Sequence, residues 1–458
     1  MKSIFFFFSL LSSLPIFAKD RPNIVFIFAD DWGWGDLGCH GHPYLKTPNI
    51  DRLANEGTDF HRFSVASGVC SPSRTAVMTG HFPARYNIDG HFAWVPSNQR
   101  RNMPDWLDPE APLLPRFLKQ SGYATAHYGK WHLANDMIPD SPFPSAYGYD
   151  DYGSYNCSGP QMFVHDDVKS AIPFMKKSHA EGKPFFINLW MHEPHTPFHV
   201  DPKLQKLFPD LPEADNIYAA TLYHADLRIG QLLDALDDLK ISDQTLVIFS
   251  SDNGPARGSP NSPIALSYDS ATGPGYGIGA AKGITGGRRA FKGALLEGGI
   301  GVPFIARWPG KISAGKVDKT SVLSAVDLLP TFCELGNVKL PRSYKPDGIS
   351  QVSALMGKGN PLRKKPIFWR MSAPWPANES KPDHWVAYAV VHEQWKLVLN
   401  KDQSHAELFD LVRDPLEKKN ISQEYPKIVV ALQDMLGEWL TSLPVKPTGK
   451  VFSKLRGQ

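Results

Sequence analysis

Runs of apolar residues recur along the chain, and each run leads into polar or glycine-rich residues. NIVFIF (23–28) is followed by ADDWGWGD, YATAHYG (123–129) by KWH, PFFINLW (184–190) by MHEPH, and TLVIFS (245–250) by SDNG. Apolar runs of this length are typical of strands buried on both faces of a largely parallel sheet. The pattern therefore predicts a large, mostly parallel central sheet.

Helical patterns lie between these runs. Thr47 and Pro48 have the residue types of an N-cap and a first-turn proline, and Gly57 is a stop signal. Residues 216–239 and 424–442 are longer amphipathic segments. Strands that alternate with helices predict an α/β sandwich.

Composition narrows the classes of function. The chain has 458 residues, of which 42% are apolar, enough for a sizeable core. Its formal charge of +3 gives no electrostatic case for nucleic acid, so no nucleic-acid partner is expected. Four cysteines are too few for a disulfide scaffold. The pattern leaves open whether any pair forms among Cys39, Cys157 and Cys333.

The first eighteen residues have the pattern of a signal peptide. A positive start at Lys2 precedes the apolar run IFFFFSLLSSLPIFA, and Ala18 is the small residue of a cleavage site. The run is shorter than the ~20 apolar residues that span a bilayer. We therefore expect residues 1–18 to be cleaved, no membrane span, and a periplasmic or secreted protein.

Ionisable or amide side chains follow four of the predicted strands. The carboxyl ends of strands in an open α/β sheet line a common crevice, so these side chains are expected to converge. One such residue alone is usually a loop residue or a cap, but four strand ends favour a shared site. The group is Asp30, Asp31, Lys130, His132, His192, Asp252 and Asn253. Its Asp and Asn members offer oxygen ligands only, which favours Ca²⁺, or alternatively Mg²⁺, over zinc.

Five motifs occur in a fixed order: NIVFIFADDWGWGDLGCHG, CSPSR followed by TAVMTG, GYATAHYGKWHL, SDNG, and FKGALLEGGIGVPFIARWPG. Together they resemble the type I sulfatases of the alkaline phosphatase superfamily, over nearly all of the sequence after residue 18. The resemblance implies an alkaline-phosphatase-like sandwich and a sulfuric ester hydrolase. The strongest motif is Cys70-Ser71-Pro72-Ser73-Arg74, which is similar to the C-x-P-x-R signature of the family.

The resemblance implies that Cys70 is oxidised to Cα-formylglycine by a formylglycine-generating enzyme. The hydrated aldehyde carries two hydroxyls, so deprotonating the second one expels sulfate, whereas a serine would keep a stable ester. The alternative for Cys70 is a small buried hydrophobe, the usual fate of a free cysteine. Pro72 and Arg74 at the recognition spacing favour the modified residue. We also expect residue 70 at a helix N-terminus, which favours anions.

Roles for the other residues follow from matching positions in the family. Arg74, Lys130 and Lys292 are expected to neutralise sulfate and the nucleophilic oxygen. His192 is the expected proton donor to the leaving sugar oxygen, and His132 the acceptor during sulfate release. The resemblance also implies that Ca²⁺ is bound by Asp30, Asp31, Asp252, Asn253 and residue 70.

Candidate substrate contacts lie outside the motifs. His195 is either a second active-site imidazole or a loop cap. A long glycine- and proline-rich insert between Gly254 and Lys292 is expected to be a functional loop without secondary structure. Its Arg257, Arg288 and Arg289 are candidates to bind a further anionic group, or are solvated charges. Trp94 and Trp375 are either sugar platforms or core residues.

These observations predict a catalytic domain over residues 19–340. A subdomain over 341–458 is expected to form a small antiparallel sheet with a closing helix. The expected substrate is a sulfated carbohydrate, such as a glycosaminoglycan or a carrageenan-type galactan. Two alternatives are a phosphoester or phosphonate monoester hydrolase of the same superfamily, and a non-catalytic binder of sulfated glycans. The sequence leaves the oligomeric state open.

Overall fold

A computed structural model describes residues 21–259, 261–359, 363–371 and 383–457. The predicted signal peptide and Trp375 lie outside these ranges. The strands in the described ranges are β1 Asn23–Ala29, β2 Thr58–Phe60, β3 Phe63–Ser64, β4 Ala124–Lys130, β5 Asp151–Tyr155, β6 Phe185–Trp190, β7 Thr245–Ser251, β8 Leu266–Asp269, β9 Gly273–Tyr276, β10 Phe304–Arg307, β11 Lys316–Asp318, β12 Leu323–Ser324, β13 Ile367–Arg370, β14 Tyr388–His392, β15 Trp395–Leu399 and β16 Ala406–Asp410.

The α-helices in the same ranges are α1 Pro48–Asn55, α2 Cys70–Thr79, α3 Val95–Arg100, α4 Leu114–Gln120, α5 Asp167–Ala180, α6 Pro202–Gln205, α7 Glu213–Asp238, α8 Glu297–Ile300, α9 Leu328–Leu335, α10 Val352–Leu355 and α11 Pro426–Thr441. Short 3₁₀ turns include Gly38–His40 and Ile278–Ala280. None of the helices that the structure describes has the length and apolarity required to cross a bilayer.

Eight strands form the central sheet in the order β11-β2-β10-β7-β1-β6-β4-β5. All neighbouring pairs are parallel except those of β10, which runs antiparallel to β2 and β7. In β1, Phe26 and Phe28 join the core on one face, and Val25 and Ile27 join the core on the other. Burial on both faces explains why the strand sequences are continuous apolar runs. The predicted mostly parallel sheet is confirmed.

The predicted helices are also confirmed. Helix α1 begins directly after Thr47, carries Pro48 in its first turn and ends two residues before Gly57. Helices α7 and α11 cover the two amphipathic segments. The fixed φ of proline suits a first turn, where its missing N–H costs no intrahelical bond.

The C-terminal part forms a four-stranded antiparallel sheet, β13-β14-β15-β16, as predicted. Helix α11 packs on it, and the Trp439 ring stacks on Phe368 with a centroid distance of 4.9 Å. The Trp369 indole donates a hydrogen bond of 2.8 Å to the Val65 carbonyl of the catalytic part. The position of the domain boundary after residue 340 stays a prediction.

The expectation that the 254–292 insert lacks secondary structure is wrong. Strands β8 and β9 form an antiparallel hairpin, and the Asp269 carboxylate accepts hydrogen bonds from the backbone of Ala271 and Thr272 in its turn. An Asx turn of this kind compensates for the weak hydrophobic pattern of the segment. Tyr276 and Phe198 exchange two backbone hydrogen bonds, which anchor the hairpin beside the segment that follows β6.

A buried ionic cluster joins the two parts of the chain. The Lys396 ammonium on β15 lies 2.9 Å from a Glu297 carboxylate oxygen and 2.7 Å from a Glu417 oxygen. Its side chain is fully buried, so its charge is balanced by these two carboxylates and not by water.

Replacing Lys396 by Met would leave two buried carboxylates without this cation. We expect the free energy of unfolding to fall by about 3–5 kcal/mol, the usual cost of breaking a buried pair. Urea denaturation followed by circular dichroism measures the change. The exposed Lys401 provides the control Lys401→Met, which should match the parent protein; equal stability of both variants would contradict the assignment.

Candidate active site

Helix α2 places Cys70 at its first position, as predicted. All ten residues of the helix are buried, and it ends at Gly80, whose φ of 64° is left-handed. Gly68 precedes the helix, and a Cβ there would lie 2.3 Å from the Ala294 carbonyl oxygen. Glycine at 68 therefore allows the segment around residue 293 to pack against the approach to Cys70, and the Gly293 N–H donates to the Gly68 carbonyl at 2.7 Å.

The Cys70 thiol lies in a charged, closed environment. Its sulfur is 3.5 Å from Asp30 Oδ1 and 3.7 Å from Lys130 Nζ, and the residue is 3% exposed. Burial, followed by the charge of Asp252, raises the pKa of the thiol above its usual value. Since the thiolate is the nucleophilic form, an unmodified Cys70 would be a poor nucleophile here.

Arg74 is held rigidly one turn further along α2. Its guanidinium donates to one carboxylate oxygen of Asp252 through two nitrogens, at 2.6 and 3.0 Å. It lies over the Trp190 ring, 4.9 Å from the centroid, and is completely buried. This packing fixes a positive charge beside residue 70.

Two lysines neutralise the aspartates that follow β1. Lys130 Nζ, at the end of β4, forms an ion pair with Asp30. Lys292 Nζ lies 2.5 and 2.7 Å from the two oxygens of Asp31. Burial alone would raise the pKa of Asp30, but the neighbouring positive charges, Lys130 and Arg74 among them, lower it well below its usual value. Burial raises the pKa of Asp31, with Lys292 opposing.

The oxygen groups of this cluster suit a hard cation. The ligand atoms of Asp30, Asp31, Cys70 and His195 all lie within 4.8 Å of one another. Asn253 donates through Nδ2 to Asp31 at 2.7 Å, whereas its Oδ1 is buried and has no hydrogen-bond partner among the described residues. A buried, unsatisfied amide oxygen beside two carboxylates fits a Ca²⁺ ligand set.

Two predicted histidines present a free ring nitrogen. Nε2 of His132 lies 3.0 Å from the Phe92 carbonyl oxygen, and Nε2 of His192 lies 3.0 Å from that of Pro197. A carbonyl only accepts, so each Nε2 carries the proton. Each Nδ1 is buried without a partner in the described ranges. Burial lowers the pKa of both rings, so both are neutral near pH 7.

His195 lies in the same cluster, since its Nε2 is 4.0 Å from Asp31 Oδ2. Of its two predicted alternatives, this position favours an active-site imidazole over a loop cap. Burial also lowers its pKa well below the usual value.

Two aromatic residues of the site, Tyr155 and Trp190, are not among the residues predicted from the sequence. Tyr155, the last residue of β5, packs its ring 5.9 Å from that of His192, and its buried hydroxyl has no partner in the described part of the chain. The Trp190 ring packs against the Arg74 guanidinium. Tyr155 is the last residue of β5 and Trp190 the last residue of β6, the two strands beside β4. Their positions at strand ends could have identified them, but the search for ionisable and amide residues did not include aromatic side chains.

The three insert arginines have different surroundings. Arg288 pairs with Glu297 at 3.3 Å, and Arg289 binds Asp383 at 2.6 Å and Glu407 at 2.5 Å. Arg257 is exposed and has no carboxylate partner among the described residues; its guanidinium lies 5.2 Å from the Phe291 ring centroid.

Trp94 is half-exposed. It lies two residues after Phe92, whose carbonyl accepts the hydrogen bond from His132 Nε2.

The chain belongs to the sulfatase family, whose model matches residues 22–338. The model described as N-sulphoglucosamine sulphohydrolase, C-terminal, matches residues 289–443. The chain is 31% identical over 398 residues to N-acetylgalactosamine-6-sulfatase of Canis lupus familiaris, which covers 77% of this chain and 69% of that protein. It is 30% identical over 392 residues to arylsulfatase G of Rattus norvegicus, covering 74% of this chain and 69% of that one.

A solved structure supports the same conclusion. Ps i-CgsB in complex with k-i-k-neocarrahexaose superposes with a TM-score of 0.76, at 26% identity over 95% of both chains. The predicted type I sulfatase resemblance and the alkaline-phosphatase-like sandwich are confirmed, and the protein is a sulfuric ester hydrolase.

Proposed function

We propose that this enzyme hydrolyses sulfate esters of a sulfated carbohydrate, using a formylglycine derived from Cys70 and a bound Ca²⁺. One observation carries the proposal: Cys70 begins a buried helix with Lys130 at 3.7 Å and the Arg74 guanidinium one turn away. A thiol in that position stays protonated, so the site suits a modified residue. The sugar sulfatases among the relatives support a carbohydrate substrate.

The cations of the site bind the sulfate and stabilise its developing charge. Arg74 and Lys130 are preorganised by Asp252 and Asp30, so they need little rearrangement during the reaction. Lys292, which follows the insert and pairs with Asp31, would contact sulfate near the leaving oxygen.

The histidines move protons. His132 is neutral with a free Nδ1, which suits it to accept a proton during sulfate release. His192 is the proton donor to the sugar oxygen. Its free Nδ1 must be protonated for this role, and an anionic sulfate bound beside it favours the protonated ring.

Two groups would be supplied to the site. Ca²⁺, or alternatively Mg²⁺, would be held by Asp30, Asp31, Asp252 and Asn253 with residue 70, and would polarise sulfate. Formylglycine, made from Cys70 by a formylglycine-generating enzyme, would supply the nucleophilic oxygen. We place the mature protein in the periplasm or outside the cell.

The proposed substrate is a polyanionic glycan fragment, such as a glycosaminoglycan or a carrageenan-type galactan. Arg257 is the free insert arginine, and its planar guanidinium suits a sulfate or carboxylate. Trp94 is a half-exposed ring near the His132 side of the site. Arg288 and Arg289 would contact substrate only after leaving their ion pairs within the chain.

A phosphoester or phosphonate monoester hydrolase is the alternative activity, and turnover of aryl phosphate against aryl sulfate separates the two. A non-catalytic glycan binder is disfavoured, because Cys70, Arg74, Lys130, His132 and His192 are all present and assembled.

The first test of the proposal is the chemistry of residue 70. In protein from a host with the maturation enzyme, peptide mass spectrometry should show one oxygen in place of the sulfur and two hydrogens of Cys70. Cys70→Ala should lose all turnover, and Cys70→Ser should lose multiple turnover because its ester is stable. The buried Cys333 is the internal control and should remain a thiol. Full activity from an unmodified thiol would contradict the mechanism.

The proton donor is tested by the leaving group. His192→Ala should lower kcat on a sugar sulfate by about 10²–10⁴-fold, the usual contribution of general acid catalysis. The loss on an aryl sulfate should be much smaller, because a phenolate leaves without protonation. Parallel assays of the two substrates make the comparison, and equal losses would remove His192 from the role.

Arg257→Ala tests the substrate class. We expect kcat/KM to fall about ten-fold or more on a multiply sulfated oligosaccharide, since a hydrogen bond to a charged group is lost. On an aryl sulfate the value should stay unchanged. Arg342→Ala is the control, because Arg342 is exposed and belongs to none of the site segments. Equal effects on both substrates would exclude a selective glycan contact.

A further inference from the structure

A second cluster of metal-binding side chains lies outside the catalytic residues. His40 ends the 3₁₀ turn Gly38–His40, Asp59 is the central residue of β2, and His61 follows that strand. Asp59 Oδ2 lies 2.8 Å from His40 Nε2 and 3.1 Å from His61 Nε2. The His40 and Asp59 side chains are 1% and 6% exposed, and that of His61 is 21% exposed.

The hydrogen-bond partner of His40 Nδ1 shows which ring nitrogen carries the proton. Its Nδ1 lies 2.6 Å from the Trp34 carbonyl oxygen, which can only accept, so Nδ1 carries the hydrogen. Nε2 of the neutral ring is then a lone pair, and it faces the lone pairs of Asp59 Oδ2. This contact requires a cation or a second proton between the two atoms. A histidine that donates one N–H to a carbonyl and presents the other nitrogen is the usual arrangement of a metal ligand.

The Asp59 carboxylate can accept a further bond. Its Oδ1 is buried and has no hydrogen-bond partner among the residues that the structure describes.

We propose that His40 Nε2, Asp59 Oδ2 and His61 Nε2 form a binding site for a divalent transition metal of the Zn²⁺ class. Two imidazoles and one carboxylate suit Zn²⁺, whereas Ca²⁺ prefers oxygen ligands. The three ligand atoms lie within 4.8 Å of one another. Ligands of a tetrahedral Zn²⁺ lie ~3.3 Å apart, which is close to the 2.8 and 3.1 Å that separate Asp59 Oδ2 from the two imidazole nitrogens.

Neighbouring side chains hold the ligands in position, and the cluster stays accessible to solvent. The Trp34 ring stacks on His40 with a centroid distance of 4.0 Å, and Arg288 donates to the His61 carbonyl at 2.9 Å. Glu297 pairs with Arg288 and reduces the repulsion between its guanidinium and a bound cation. The His61 side chain is 21% exposed, so water and a metal ion can reach the cluster from that side.

The test is Zn²⁺ titration of the full mature chain by calorimetry, in saturating Ca²⁺ so that the oxygen-rich catalytic cluster is occupied. We expect one equivalent of Zn²⁺ on the parent protein. His61→Ala and Asp59→Asn should each weaken binding by at least about ten-fold, the scale of losing a contact at a metal site. Neither residue belongs to the catalytic cluster, so sulfatase activity in Ca²⁺ should be unchanged, and that activity with circular dichroism reports folding.

His179→Ala is the matched control, because His179 is exposed on α5. Binding that is lost in this control as much as in His61→Ala would mean adventitious surface binding and would overturn the proposal. Zn²⁺ binding that is absent from the parent protein would leave a second proton on His40 as the explanation. The intense visible absorption of tetrahedral Co²⁺ provides an independent readout, and its persistence in Asp59→Asn would also overturn the site.

Discussion

The active site depends on the neutralisation of buried carboxylates. Asp30 and Asp31 follow β1 and Asp252 follows β7, and these two strands are neighbours in the sheet. Buried carboxylates this close together repel each other unless cations lie among them. The cations come from three other segments: Arg74 from α2, Lys130 from the end of β4 and Lys292 from the end of the insert. The ion pairs therefore hold together the elements that form the site.

The same constraint explains the position of Cys70. Arg74 must reach Asp252, so α2 lies buried against the sheet with its N-terminus at the carboxyl ends of the strands. Gly68 allows the 291–294 segment to approach, which brings Lys292 to Asp31. The β8–β9 hairpin of the same insert is held beside the segment after β6 by the two backbone hydrogen bonds between Tyr276 and Phe198.

Charged residues of one type serve different purposes in this fold. Arg289 binds Asp383 and Glu407 of the C-terminal part and so stabilises the packing of the two parts, whereas Arg288 pairs with Glu297 inside the catalytic part. Arg257, a short distance along the same insert, rests on Phe291 and faces solvent. A guanidinium without a carboxylate is available to an anionic ligand, whereas a paired one must first lose its partner.

The sequence by itself determined the buried strands of the central sheet, the principal helices and the convergence of polar residues at one sheet edge, because these follow from local hydrophobic period and from the geometry of parallel strands. It also indicated that a helix, α2, begins at Cys70. Only the tertiary structure decided which charges pair. Arg74 and Asp252 are separated by 178 positions, and no local pattern relates them or distinguishes Arg257 from Arg289. The aromatic ring of Tyr155 beside His192 and the His40, Asp59 and His61 cluster arise in the same way, since side chains meet there only after distant segments have packed.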